Sequence, residues 1–138
     1  MPTLEQLAVG DEVAAATYRF TRDSLVRYAG ASGDFNDIHY RDDVAVAVGL
    51  PGVLAHGMLT MGAAVQAVVD FLGDSGKVID YQVRFTKPVL VDAAKGATLV
   101  VNATVVEIDE TAKIARIDLS ASCDGVVVLG KAQVRVSI

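Results

Sequence analysis

Two histidines limit where acid–base chemistry can occur in this 138-residue chain, because histidine is the side chain that ordinarily titrates near neutral pH. His39 follows Asp34 by five residues. On a regular helix this spacing would set the two side chains about 140° apart, so they could not converge. Gly30, Gly33 and Asn36 favour an irregular turn instead, in which a carboxylate and an imidazole could hold one water or hydroxyl between them.

A purely structural role is also open for this pair. Asp34 could cap a turn or a helix, and His39 could be a buried histidine whose hydrogen bonds are satisfied. The residue types and their spacing alone do not separate this interpretation from the catalytic one.

The second histidine, His56, opens the most apolar segment of the chain. The first N–H groups of a helix are unpaired and its dipole is positive at that end, so the segment would begin with an anion site. Gly57 would let a ligand oxygen approach the amide, which suits a thioester carbonyl as it becomes an enolate. His56 and Gly57 are therefore candidates for oxyanion or substrate binding. The alternative is that His56 caps and packs the helix while Gly57 makes room for a sheet.

Other kinds of site lack support in the sequence. Two histidines seventeen residues apart and the single Cys123 match no usual metal-ligand spacing, so we predict no metal site. Cys123 is expected to be a small core residue, because no histidine or basic residue flanks it. There is no glycine-rich phosphate loop and no serine nucleophile elbow.

Length and composition constrain the class of protein. The chain has the length of one domain, residues 1–138, and its 52% apolar content argues against disorder. Seventeen acidic and twelve basic residues give a net charge of −5, opposite in sign to a nucleic-acid-binding surface, so no nucleic-acid partner is expected. The single cysteine and the lack of a secretory signal indicate a reduced, cytoplasmic setting.

Hydrophobic periodicity predicts a helical first part. Thr21 caps a helix that Gly30 ends, a loop follows over residues 30–36, and Asp42 or Asp43 caps a short second helix. The third helix is apolar nearly all round and is therefore expected to be buried, although it is too short and interrupted to span a membrane. The predicted elements, one strand and three helices, are residues 13–20, 21–30, 44–48 and 56–72.

The second part has the alternating pattern of strands. Asp124 and Gly125 predict a two-residue hairpin turn, and Pro88 ends or bends the strand before it. With hairpin-length turns throughout, these strands predict an α+β fold whose antiparallel sheet wraps around the long helix. A single curved sheet leaves edges, and the last strand has little charge and no proline, so we expect edge pairing or face packing with a second subunit. The predicted strands are residues 79–85, 98–108, 115–123 and 126–138.

Several motifs, in order, resemble the MaoC-like family of (R)-specific enoyl-thioester hydratases and dehydratases, which have the hot-dog fold. They lie at residues 9–11, 28–39, 55–59 and 83–89 and span nearly the whole chain. The resemblance implies that Asp34 and His39 are the catalytic pair, that Asn36 is the motif asparagine and that the Gly57 N–H binds the oxyanion. The family motif usually has proline where this chain has Asp37.

The resemblance also implies an activity, the reversible syn addition of water to a trans-2-enoyl thioester to give a (3R)-3-hydroxyacyl thioester, with no cofactor. During dehydration His39 would take the α-proton, the Gly57 N–H would stabilise the enolate and Asp34 would help to protonate the departing hydroxyl. Two alternatives stay open: a subunit whose partner supplies the chemistry or sets the chain length, and a hot-dog acyl thioesterase.

Substrate carrier and partner follow from the same resemblance. Residues 55–62 and 83–86 most resemble the catalytic β subunit of the mycobacterial-type (3R)-hydroxyacyl-ACP dehydratase, which implies a homodimer or a heterodimer with a related hot-dog subunit. CoA and acyl carrier protein both present the acyl group on a phosphopantetheine arm, so the tunnel mouth needs positive charge. Arg84 and Lys87, which flank Phe85 and Thr86, are the candidates, although a solvated strand face and an edge guard also explain them.

Overall fold

The computed structural model describes residues 2–138, and that part of the chain forms one five-stranded sheet and three α-helices. Every predicted strand and helix is present, with shifted ends. The strands are β1 (Glu12–Phe20), β2 (Val78–Phe85), β3 (Ala97–Asp109), β4 (Ile114–Cys123) and β5 (Val126–Ser137). The helices are α1 (Arg22–Ser32), α2 (Asp42–Ala47) and α3 (Gly57–Leu72).

The sheet is antiparallel throughout and follows the order β1-β3-β4-β5-β2. Alternate residues of β3 and β4 are buried against α3, where the small side chains of Ala64 and Ala67 let the sheet approach the helix axis. Among the described residues, no helix is long and apolar enough to cross a bilayer. The predicted α+β arrangement of an antiparallel sheet around a long helix is confirmed.

The prediction that α3 is buried all round is wrong for this chain. The sheet covers one face of the helix, while Met58, Gly62, Gln66 and Asp70 are exposed on the other. A single sheet can cover only one side of a helix, whatever the hydrophobicity of the other side.

Of the two contacts expected for the last strand, edge pairing with a second subunit is wrong. β5 lies between β4 and β2, and the two edges of the sheet are β1 and β2. The connection from β2 to β3, residues 86–96, is consequently longer than a hairpin turn, because these consecutive strands are not neighbours. Side-chain alternation shows which face of a strand is buried, but it does not show which strand lies beside it.

Helix α1 ends two residues later than predicted. Gly30 lies inside the helix, whereas Gly33 caps it with a φ of 79° and donates its N–H to the Ala29 carbonyl. This left-handed backbone is the one that glycine adopts without steric cost. The expected capping by Thr21 is confirmed, since its side chain accepts a hydrogen bond from the Ser24 N–H.

The short helix α2 begins at Asp42 without any side-chain cap, so the predicted capping role of Asp42 or Asp43 is wrong. The Asp42 carboxylate instead accepts hydrogen bonds from the Arg22 guanidinium, at 2.9 Å, and from the Val53 N–H, at 3.3 Å. These bonds lower the pKa of Asp42, the Arg22 contact most strongly. Arg22 also donates to the Val91 carbonyl, so one guanidinium ties α1, α2 and the β2–β3 connection together.

Two local features lie outside the paired strands, a hairpin turn and an isolated bridge. The predicted hairpin turn at Asp124 and Gly125 is confirmed by φ angles of 51° and 75°. Leu54 forms an isolated bridge with Leu90, just before α3 begins. This bridge joins the β2–β3 connection to the segment that leads into the helix.

Candidate active site

The loop after α1 forms the irregular turn that the sequence predicts. The Asp34 carboxylate accepts a hydrogen bond from the Asn36 N–H, and the Asn36 side chain accepts one from the Ile38 N–H, each at 3.2 Å. A single 3-10 turn, Asp37–His39, follows. As a result, Asp34 Oδ2 lies 3.9 Å from His39 Nε2. The predicted convergence of these two side chains is present, and Asn36 serves the turn as its cap.

His39 has its tautomer fixed by the backbone. Its ring is buried, and Nδ1 lies 2.7 Å from the Leu54 carbonyl oxygen. A carbonyl can only accept a hydrogen bond, so Nδ1 carries the hydrogen. In the neutral ring Nε2 is then the nitrogen with the free lone pair, and it is Nε2 that faces Asp34. The 3.9 Å separation is too long for a direct hydrogen bond and leaves a polar group room to bridge the two.

His56 lies directly beneath this pair. Its ring is 1% exposed and stacks on the His39 ring with a centroid distance of 3.8 Å and an interplanar angle of 23°. Nε2 lies 3.0 Å from the Asp34 backbone carbonyl, to which it donates. The pKa of His56 is lowered, mainly because burial disfavours the charged form of the ring. The ring is therefore held neutral. The edge of Tyr28 packs against it at 4.7 Å.

A cleft of about 470 Å³ opens beside Asp34 and His56, and the buried His39 ring lies behind its lining residues. Half of the Asp34 side chain is exposed to it, and the buried His56 ring contributes to its wall. Gly57 is the first residue of α3, so its N–H has no partner within the helix. The cleft is lined by Tyr28, Ser32, Asp34, His56, Gly57, Met58 and Phe85.

Phe85 covers the start of α3 and was not identified from the sequence. A Cβ at position 57 would lie 3.0 Å from Phe85 Cε1, so the ring reaches this close only because residue 57 is glycine. The ring also lines a second, mostly apolar pocket of about 330 Å³ and so separates it from the cleft. The alternating pattern of β2 predicts an inward apolar residue at 85, but it does not predict a ring that is 56% exposed.

The two predicted carrier-binding cations lie at the open edge of the sheet. Lys87 lines the apolar pocket on the other side of Phe85 from the cleft. Arg84 is exposed on β2 and, among the described residues, is not part of the lining of either pocket. The structure thus brings Lys87 to the neighbouring pocket and leaves Arg84 on the strand surface.

Asp37, which stands where the resembled motif has proline, is held by its neighbours. Its carboxylate accepts a hydrogen bond from the Tyr40 hydroxyl at 2.6 Å and lies 3.4 Å from Arg41 Nη1. The hydrogen bond to Asp37 raises the pKa of Tyr40. These contacts constrain the turn that a proline ring would otherwise make rigid.

Asp34, His39 and His56 each place a potential metal-ligand atom within 4.8 Å of the others, which their spacing in the sequence did not predict. A metal ion lies in the plane of each imidazole that binds it, because the nitrogen lone pair lies in the ring plane. The two rings are stacked with nearly parallel planes, and His56 Nε2 is already bonded to a carbonyl. The arrangement therefore suits proton transfer better than metal coordination.

A curved antiparallel sheet around one long helix, with a carboxylate–imidazole pair at the start of that helix, defines a protein of the hot-dog fold. A family model described as the MaoC-like domain matches residues 5–122, and the chain belongs to that family. The resemblance identified from the sequence motifs is confirmed.

Individual relatives agree with this assignment. The chain is 40% identical over 82 residues to the 3-hydroxyacyl-thioester dehydratase X of Mycobacterium tuberculosis, which covers 59% of this chain and 28% of that protein. A solved MaoC-like dehydratase superposes with a TM-score of 0.97 at 36% identity, over 99% of this chain and 42% of that one. The R-hydratase PhaJ1 from Pseudomonas aeruginosa superposes with a TM-score of 0.79 at 26% identity, over 96% and 82% of the two chains. The chain thus spans less than a third of the curated relative.

Proposed function

We propose that this protein catalyses the reversible hydration of a trans-2-enoyl thioester to a (3R)-3-hydroxyacyl thioester. One observation carries the proposal: His39 Nε2, the ring nitrogen not bonded to the Leu54 carbonyl, faces the Asp34 carboxylate at 3.9 Å, in a site whose neighbouring Gly57 N–H has no helix partner. A base, a group that binds a hydroxyl and an oxyanion donor are what this reaction requires. Membership of the MaoC-like family supports the same activity.

The proposed dehydration runs through these three groups. His39 Nε2 takes the proton from C2, while the Gly57 N–H stabilises the negative charge that develops on the thioester oxygen. Asp34 accepts a hydrogen bond from the C3 hydroxyl and holds it near His39. The imidazolium then returns its proton to this hydroxyl, which leaves as water, so His39 ends neutral and the proton count balances. In hydration the same steps run in reverse, with water held between Asp34 and His39.

The activity is tested with the purified chain and trans-2-enoyl substrates of short and long acyl length, on both CoA and acyl carrier protein. Conversion to a (3R)-hydroxyacyl thioester, identified by mass spectrometry and chiral analysis, is the expected result. Release of free thiol would instead indicate a thioesterase. Activity that appears only when a related subunit is added would indicate a subunit of a heterodimeric enzyme.

We also propose that the protein works as a dimer, with a second copy or with a related hot-dog subunit. Both edge strands of the sheet, β1 and β2, have unpaired backbone groups, and the cleft lies beside the end of β2. The matched MaoC-like dehydratase chain is also long enough to hold two such units, since this chain covers 42% of it. Analytical ultracentrifugation should give a dimer mass for the active species. A strictly monomeric species with full activity would contradict the proposal.

Lys87 is proposed to attract the phosphate groups of the carrier. We expect Lys87→Glu to raise KM several-fold at low salt with kcat nearly unchanged, and added salt to reduce the difference because it screens the charge. Steady-state kinetics with enoyl-CoA at two ionic strengths measure the effect.

Lys113→Glu is the matched control for this experiment. It makes the same change in net charge, but in the turn between β3 and β4. This turn lies near the first residue of β2, because β4 and β2 both pair with the end of β5 there, whereas Lys87 follows the last residue of β2. The eight residues of β2 separate these two places by about 26 Å. An unchanged KM for Lys87→Glu at low salt, or an equal rise in both variants, would place the carrier site elsewhere.

A further inference from the structure

His56 lies in the wall of the cleft but is only 1% exposed, and its ring contacts the proposed catalytic groups. We propose that it is a positioning residue, which holds the Asp34 backbone, the His39 ring and the Gly57 amide in one fixed arrangement. This inference rests on the proposed function, because it assigns His56 a role in the same reaction. It replaces the direct substrate contact that the sequence suggested for His56.

The first contact fixes the backbone of Asp34. The Asp34 side chain is half exposed and lies in an irregular turn, where the Asp34 N–H donates to the Ser32 hydroxyl at 3.2 Å. Its carbonyl accepts the His56 Nε2–H at 3.0 Å, from a residue 22 positions further along the chain. A side chain at the start of α3 therefore holds the peptide group that carries the proposed hydroxyl-binding carboxylate.

The second contact fixes the plane of the His39 ring. Among the residues that the structure describes, the ring makes one hydrogen bond, from Nδ1 to the Leu54 carbonyl, and a single bond allows the ring to tilt about the bond axis. The His56 ring packs against its face at 3.8 Å and removes that freedom. Because the Nε2 lone pair lies in the ring plane, fixing the plane directs the lone pair towards Asp34.

The third connection runs through the peptide bond between His56 and Gly57. The His56 carbonyl accepts the Thr60 N–H at 3.2 Å and lies 3.4 Å from the Thr60 hydroxyl, which donates to it. The peptide that carries the Gly57 N–H is therefore held from the carbonyl side while the ring holds the two other groups. Proton transfer and oxyanion binding both depend steeply on such alignment.

Burial keeps this arrangement in one protonation state. His56 Nδ1 has no partner among the described residues, and burial lowers the pKa of the ring, with the nearby His39 adding to the effect. A second positive charge at stacking distance is disfavoured, so His56 stays neutral when His39 takes the substrate proton. The Nε2–H that holds Asp34 is therefore retained through the reaction.

Two substitutions separate the two contacts of the ring. His56→Phe keeps a stacked ring and removes the donor, while His56→Gln keeps an amide donor near the position of Nε2 and removes the ring. We expect each to lower kcat about 10- to 100-fold with KM changed less than about twofold, since ground-state binding is untouched. In a His39→Gln background the same substitutions should cost less than about threefold, because the pair that they align is already broken.

Val68→Ala is the control for a general loss of stability. Val68 lies on α3 and is as fully buried as His56, which directly precedes the helix. The Val68→Ala variant should therefore lower the melting temperature without lowering kcat. A readout independent of activity is the NMR signal of the Phe35 amide, which belongs to the same peptide group as the Asp34 carbonyl. This signal should move in His56→Phe and stay in place in Val68→Ala.

The outcomes separate the two proposals. An unchanged kcat in both His56 variants, a rise in KM alone, or an equal loss of rate in the wild-type and His39→Gln backgrounds would overturn the positioning role. An unmoved Phe35 amide in His56→Phe would overturn it as well. A displaced Phe35 amide in a chain with no hydratase activity would uphold the positioning of Asp34 and reject the proposed reaction.

Discussion

Asp34→Asn and His39→Gln will each lower the rate of enoyl-thioester hydration about 100-fold or more, the usual contribution of acid–base catalysis. His39→Gln removes the lone pair that accepts the C2 proton. Asp34→Asn keeps the size of the side chain but replaces one acceptor oxygen with an amide donor, which cannot hold the hydroxyl in the same way. Steady-state kinetics on short enoyl-CoA substrates measure both losses.

The controls for this prediction separate catalysis from folding. Asp23→Asn removes one carboxylate from the surface of α1, where it pairs with Arg27, and should leave the rate within about twofold. Because Asp34 and His39 act on the same hydroxyl, the double variant should lose little more activity than the worse single variant. Near-normal activity in either single variant, with native circular dichroism, would refute the catalytic assignment.

Gly96→Ala is expected to cost about 3 kcal/mol or more of the free energy of unfolding. Gly96 has a φ of 69°, and a Cβ there would lie too close to the backbone carbonyl oxygen of Phe20, which cannot swing aside as a side chain can. Phe20 ends β1 immediately before α1, so relieving the clash would displace the helix that leads to Asp34. Urea unfolding followed by circular dichroism measures the loss.

Gly73→Ala is the matched control for the backbone. Its φ of 70° is almost the same, but no atom lies within 4 Å of the position where its Cβ would be. This variant should therefore cost only about 1 kcal/mol, which is the strain of a left-handed alanine. Equal losses in the two variants would show that the clash at residue 96 is relieved without cost.

The candidate pair could be predicted because its geometry is local. Gly33 ends α1 in a left-handed conformation, and Asn36 turns the chain again within three residues. Both residue types signal such turns in the sequence, so five residues suffice to bring Asp34 and His39 together. The hairpin at Asp124 and Gly125 was predictable for the same reason.

The roles of His56 and Phe85 could not be predicted, because they depend on distant contacts. His56 lies against His39 because the Leu54 N–H donates to the Ile38 carbonyl and His39 Nδ1 donates to the Leu54 carbonyl, which joins the His39 turn to the segment that leads into α3. Phe85 reaches Gly57 only because β2 pairs with β5 at the edge of the sheet. Hydrophobic alternation contains no information about either pairing.

The position of β2 beside β5 has a consequence for the order in which the molecule assembles. Within residues 2–138, β2 pairs with no strand other than β5, so residues 78–85 stay unpaired on the ribosome until residues 126–137 have been synthesised. The hydrogen bond from the Thr86 hydroxyl to the Val127 carbonyl, for example, joins residues that are 41 positions apart in the chain. Contacts of such long range slow folding, and an unpaired strand is exposed to aggregation while it waits. The turn that carries Asp34 and His39 can form early in translation, whereas the Phe85 wall of the cleft is completed among the last parts of the fold.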